Sequence, residues 1–246
     1  MKIFLFLLVL ISFGALKAQT STVYKDTVIY SVHASSTGSF SKTNDLRSFQ
    51  LNNVLKLGVT LGKFSIQNSD GWIYGEQANV KINNDYSSVL EGDWMKNVTK
   101  LYVWGLGTFD KSYSLKINYR YQVGAGPGFT AVRNDRVSLI LSDGIMFEEG
   151  DLVDPELGQF HYNTWRNSFR VKYHWLISNI VTFDGTGFIQ PSLKEWGADN
   201  IIRYSTTLSV KLRKWLSLTS SLTYNKITRT DRENLVLTYG IAVNYN

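Results

Sequence analysis

His33, His161 and His174 are the only histidines in this chain, and so its only side chains that carry protons readily at neutral pH. A membrane-bound protease or phospholipase needs one of them within hydrogen-bond reach of a nucleophile, with a carboxylate to orient it. The three fall on different predicted strands or loops. His33 lies between Ser31 and Ser35 on one strand face, too far from either for good proton transfer. His174 shares a face with Lys172 and Arg170, a poor setting for a general base. The acidic stretch with Glu148, Glu149, Asp151, Asp154 and Glu156 lacks the glycine and ligand spacing of a calcium loop and reads as a solvated surface loop. No cysteine is present, so thiol nucleophiles and thiolate metal sites are excluded. The glycine run GAGPG at residues 124–128 is not a phosphate loop, because no Lys with Ser or Thr follows it and another strand does. Glycine there suits barrel curvature or close packing. The sequence therefore predicts no catalytic residue, no metal site and no cofactor.

What remains is charge on the polar side of alternating stretches: Lys116, Arg120, Arg166, Arg170, Lys172, Arg203, Lys211 and Arg213. The elements that position these residues follow from a two-residue period, since successive strand side chains point to opposite faces. Tyr113, Leu115, Ile117, Tyr119, Tyr121 and Val123 oppose Ser114, Lys116, Asn118, Arg120, Gln122 and Gly124. Trp165, Phe169, Val171, Tyr173 and Trp175 oppose Arg166, Ser168, Arg170, Lys172 and His174, with Asn167 as the one lapse on the apolar face. Residues 202–213 and 234–245 alternate in the same way. These runs hold register for about ten residues, longer than the ~5 to 6 of soluble strands and long enough to cross hydrocarbon at a tilt.

The compartment is set by the N-terminus. Lys2, an apolar segment over residues 3–13 and Ala18 before Gln19 read as a signal peptide over residues 1–18, with Leu16 larger than usual at its position. Its apolar segment is shorter than the ~20 residues of a spanning helix. Losing Lys2 and Lys17 with it lowers the net charge from +6 to +4, and the remaining Lys and Arg are dispersed, which argues against nucleic acid as a partner. Three prolines against nineteen glycines, with 14% aromatics, favour strands. No apolar segment of helix length follows the signal, and a closed barrel is the other structure that satisfies its backbone in lipid.

Residues 19–246 are accordingly predicted to form one all-β domain, an antiparallel transmembrane β-barrel of about twelve strands in an up-and-down meander. Strands are expected to begin near residues 26, 46, 62, 84, 99, 112, 134, 163, 178, 200, 215 and 233. Polar loops at 37–45 and 148–159 would lie outside the cell, with short periplasmic turns at 61–63, 133–135 and 213–215. Interfacial aromatics are expected near those turns (Trp94, Tyr102, Tyr173, Trp175, Trp215) and at the opposite end (Trp72, Tyr74, Tyr113, Trp165). The eight cations would line a basic lumen, countered by Glu91, Asp93 and Asp184, and its field would favour small anions if the lumen is open. Side chains that cross-link and plug the lumen are the other outcome for a barrel of this size.

The stretches RVKYHWLISNIVTFDGTGFIQPSL and LRKWLSLTSSLTYNKITRTDRENLVLTYGIAVNY, with GEQ at residues 75–77 and RYQVGAGPGF from Arg120, resemble the YdiY-like family of salt-induced outer-membrane proteins. The resemblance covers most of the mature chain and rests on strand and turn patterns. It implies an outer-membrane barrel of unknown function, linked by name to salt response, with no active residues to carry over. The last strand also resembles the signal read by the outer-membrane assembly machinery, at Thr238, Gly240, Val243 and Tyr245, but it departs from it at the terminal Asn246. The expected function is a non-enzymatic outer-membrane barrel with a structural or envelope-stress role. A narrow passive channel comes second and an outer-membrane hydrolase third. Outer-membrane lipid, the assembly machinery and small anions are the expected partners.

Overall fold

The computed structural model describes residues 28–43, 46–95, 99–154 and 158–245, so the predicted signal peptide and the Ala18–Gln19 cleavage pair lie outside the described residues. The chain forms fourteen strand segments: β1 (Val28–Thr43), β2 (Leu46–Leu61), β3 (Phe64–Gln77), β4 (Val80–Trp94), β5 (Leu101–Ser112), β6 (Ile117–Arg133), β7 (Val137–Ser142), β8 (Ile145–Asp154), β9 (Gly158–Asn167), β10 (Phe169–Ser178), β11 (Val181–Pro191), β12 (Asn200–Lys211), β13 (Leu216–Ile227) and β14 (Arg232–Tyr245). Every pairing is antiparallel. β6 carries β7 along its C-terminal half and β8 along its N-terminal half, so β7 and β8 are one stave broken at Asp143 and Gly144. β9 and β10 are likewise one stave, broken at Ser168. The breaks are tied together: the Ser168 amide donates to the Gly144 carbonyl at 2.8 Å and the Asn167 amide to Asp143 at 2.7 Å. Asn167, the lapse in the apolar alternation, thus marks a kink. β1 pairs with β14, and the result is a closed, twelve-stave, up-and-down antiparallel barrel.

Burial is inverted relative to a water-soluble domain. Along β14, Leu235 is 65% exposed and Ile241 50%, whereas Thr238 between them is fully buried. An apolar exterior over a polar interior is the period-two pattern expected where hydrocarbon is the outer solvent. Trp94, Trp175 and Trp215 are exposed at the end where β1 enters and β14 leaves, and Trp72 and Trp165 toward the other, which forms two aromatic girdles. Tyr102 departs from that expectation. β5 turns Tyr102 and Trp104 inward, both almost fully buried, and Leu101 and Val103 outward, as the alternation of the strand requires.

Three further expectations are corrected. Residues 113–116 form a turn, and a register shift between Ile117 and Tyr119 puts Leu115 and Ile117 inside, so the apolar face read from Tyr113 is not continuous. The predicted outer loop at 37–45 is mostly strand, since β1 and β2 stay paired as far as Thr43 and Leu46. Its hydroxyl residues line the interior or extend the hairpin. The acidic stretch as far as Asp154 is strand β8, with Glu148 fully buried, and not a solvated loop, while Glu156 lies outside the described residues. Long outer loops are therefore absent among the described residues, where the longest connection is 192–199. Extended pairing replaces them and satisfies the backbone instead.

The glycines at 124–128 sit where walls approach closely. A Cβ on Gly126 would lie 2.1 Å from the Asp143 carbonyl oxygen at the β7–β8 break, and one on Gly128 would meet the Tyr102 ring. Gly105 faces open space. Gly126→Val should lower stability by about 1–3 kcal/mol, read as a shift in the urea midpoint of the heat-modifiable folded band, while Gly105→Ala should leave the midpoint in place.

Candidate functional site

The interior is where the structure concentrates its chemistry. Five of the eight predicted lumen cations point inward and are ion-paired: Arg120, Arg166, Arg170, Lys172 and Arg203. The other three do not line it. Lys116 lies in the β5–β6 turn, in a left-handed conformation (φ +57°), and caps the Tyr113 ring at 4.5 Å. Lys211 is the exposed last residue of β12, and Arg213 is exposed in the following turn. Alternation predicts the face of a residue within a strand but loses meaning where the strand ends.

The five inward cations form three linked groups. Arg166 is fully buried: its Nη2 meets Glu148 at 2.8 Å and both Asp199 oxygens at 3.0 and 2.9 Å, and its Nη1 donates to the Gln190 carbonyl at 3.1 Å. Arg229 adds a second cation on Asp199 at 2.6 Å and stacks over Tyr162, whose hydroxyl donates to Glu148 at 2.7 Å. Gln122 donates to Glu148 and accepts from Arg203, which joins this group to the next. There, Asp110 receives Arg120 at 2.9 Å and Arg203 at 3.1 Å on one oxygen. In the third group, Glu91 receives Arg170 at 2.9 Å and Lys172 at 2.6 Å, and Arg170 also stacks over Trp104.

These ion pairs cross the barrel along two chords, from Asp110 on β5 to Arg203 on β12 and from Glu91 on β4 to Arg170 and Lys172 on β10. Apolar clusters flank the ionic layer inside the barrel. Leu115, Ile117, Leu152, Ile201 and Ile227 pack toward the end bearing the β13–β14 connection, and Tyr102, Trp104, Leu106 and Met146 pack on the other side. Around the fully buried Arg166, Glu148 and Asp199 the exclusion of water raises the cost of separating the charges, while Lys172 and Arg203 stay partly exposed.

The expected counter-charges are only part of the set. Glu91 is in the braces and Asp184 pairs with His174 at 2.6 Å, but Asp110, Glu148 and Asp199 carry most of the neutralisation. Asp110 was legible in principle as the inward partner of Thr108 on an alternating strand. Asp199 sits in a connection and has no periodic signal. The basic lumen is thus locally neutralised, and the expected positive field is largely spent inside the braces.

A cavity of about 640 Å³ occupies the lumen beside these groups, lined by neutral side chains such as Thr37, Asn52, Ser87, Thr207, Ser221 and Asn225 on one side and by Glu91, Asp110, Arg120, Lys172 and Arg203 on the other. Lys56 projects into it, in register with His33. The three histidines lie on separate strands, with His161 exposed beside Tyr119. Among the described residues no group of three or more His, Asp or Glu is placed to hold a metal ion.

The residues of the assembly-like motif lie along the closing seam. The Thr238 hydroxyl bonds the Thr37 hydroxyl at 2.7 Å, Gly240 faces the Ser36 carbonyl with no room for a Cβ, Val243 points outward, and the Tyr245 backbone pairs with Val32.

Among solved structures the barrel is similar to the NanC porin, with a TM-score of 0.54 at 10% identity over 87% of this chain and 99% of that one. The translocator domain of autotransporter NalP from Neisseria meningitidis (TM-score 0.49, 11% identity, 89% and 88% covered) and the KdgM porin in complex with disordered oligogalacturonate (0.47, 10%, 89% and 100%) are further matches. At such identities the likeness is one of fold, that of an outer-membrane β-barrel. No curated protein matches the sequence. The family model described as "Protein of unknown function, DUF481" matches residues 37–245, nearly the whole barrel, and the chain belongs to that family, the one its strand and turn motifs resemble.

Proposed function

We propose that this protein is a non-enzymatic barrel of the bacterial outer membrane whose lumen is braced shut over one half, and that it serves a structural, envelope-maintaining role. The pair of chords, Asp110 with Arg203 and Glu91 with Lys172, carries the reading: side chains from opposite walls meet where an open pore would keep them apart. A salt-response role fits the same geometry. Exposed ion pairs lose their strength as ionic strength rises, whereas pairs buried like Arg166 with Glu148 are screened much less. The barrel would keep its internal braces at high osmolarity.

A second reading rests on the cavity beside the braces. A narrow passage through the hydroxyl-lined half would admit small hydrophilic solutes, and Lys56 would tilt it toward anions.

Planar-bilayer recordings of refolded residues 19–246 separate the two. The braced reading expects a folded barrel with no reproducible conductance steps, and steady anion-selective steps would replace it with the passage. Removing the acids should create such steps: the pair Glu91→Gln with Asp110→Asn strands Arg120, Arg170, Lys172 and Arg203. It is expected to lose about 3–5 kcal/mol per broken brace and to open an anion-selective current. The urea midpoint of the wild-type barrel should stay nearly constant as sodium chloride rises from about 0.1 to about 1 M, and a steep fall would show that screened surface pairs hold it together. Lipid and peptide hydrolysis assays are expected to give no turnover.

A further inference from the structure

The two ends of the barrel differ in charge. At the end where β1 enters and β14 leaves, the described connecting residues 62–63, 95, 99–100, 134–136, 179–180 and 212–215 carry Lys63, Lys100, Arg136, Arg213 and Lys214 against Asp135 as the one acid. At the opposite end, residues 78–79, 113–116, 192–199 and 228–231 carry Lys116, Lys194 and Arg229 against Glu195, Asp199 and Asp231. The inward Arg120, Arg166, Arg170, Lys172 and Arg203 are paired, so this first end holds much of the molecule's uncompensated positive charge. All five of its cations are exposed, and among the described residues none has an ion-pair partner.

Each cation also neighbours a membrane-facing anchor. Lys63 lies between Leu61 and Phe64, Lys100 precedes Leu101, and Arg136 precedes Val137, which is paired with Trp175. Arg213 and Lys214 lie between Leu212 and Trp215. An aromatic girdle marks the headgroup level, and a cation one residue beyond it stands at the depth of lipid phosphates.

We propose that this end is a cationic collar that binds the anionic phospholipid headgroups of the leaflet it meets. The inference rests on the outer-membrane reading above. Distribution favours lipid over a soluble polyanion. The cations occupy four of the five turns around the circumference, each beside its own anchor, whereas a polymer would need a contiguous track.

The test uses the refolded mature chain in vesicles of phosphatidylcholine mixed with phosphatidylglycerol, either lipid carrying bromine to quench tryptophan. Phosphatidylglycerol should be preferred about fivefold at low salt, and the preference should fade at about 0.5 M sodium chloride. Changing Lys63, Lys100, Arg136, Arg213 and Lys214 to Gln together should bring the ratio to about one, while Lys116→Gln with Lys194→Gln at the other end should leave it unchanged. Heat-modifiable migration of the same samples reports insertion. A chain that inserts without headgroup preference overturns the collar alone, and so does a preference that only the opposite-end variant moves, or retention of a soluble anionic polysaccharide with no lipid preference. A chain that inserts into no vesicle removes the outer-membrane reading and the collar with it.

Discussion

A sheet with hydrocarbon against its outer face has no water to satisfy an open edge, and each unpaired amide or carbonyl there costs several kcal/mol. The β1–β14 seam removes that edge. It is short, seven residue pairs from Val32 with Tyr245 to Gly38 with Tyr239, where β1 and β2 share sixteen. Its closeness is correspondingly tight: Gly240 lies against the Ser36 carbonyl, and Thr37 and Thr238 join their hydroxyls just inside. Residue types along β14 follow from this position, small or hydroxylic where the seam closes and apolar where it faces outward.

Closure at twelve staves sets the next problem. A ring of this size lies between the barrels that side chains fill and the larger ones that leave a channel. Arginine and lysine have the reach to span chords, but their charge requires an acid wherever water is excluded. Asp110, Glu91, Glu148 and Asp199 supply it, with apolar clusters on either side of the layer. The kinks at Asp143–Gly144 and Ser168 serve the same end. They bring the β8–β9 inner face, with Glu148 and Arg166, against Asp199 and Ile201. The remaining half keeps short hydroxyl and amide side chains and stays hollow.

The barrel, its strand count and most of its strand starts were legible because two-residue alternation reports two solvents, and both are present along nearly the whole chain. Three starts moved by four residues or more, and each has a local cause. Residues 113–116 are turn although they alternate, β4 begins at Val80 because a bulge at Gly75–Glu76 lengthens its pairing, and β9 begins at Gly158 because its pairing with the acidic strand β8 runs out to Asp154. Polarity misled at residues 37–45 and 148–159 for one reason. A wet strand face, or a hairpin extended past the membrane, has the composition of a loop.

Of the candidate site, the sequence by itself determined which strand residues face inward, and so placed Arg120, Arg166, Arg170, Lys172 and Arg203 in the lumen. Facing is a local property of the backbone period. Which acid each cation meets, that the positive charge is neutralised over half the lumen, and that Lys116 and Arg213 fall on turns were decided only by the tertiary structure. Asp110 and Arg203 are 93 residues apart, and Glu91 and Lys172 are 81 apart. Partners across a closed ring are set by strand tilt and register around its whole circumference, which no stretch of sequence contains.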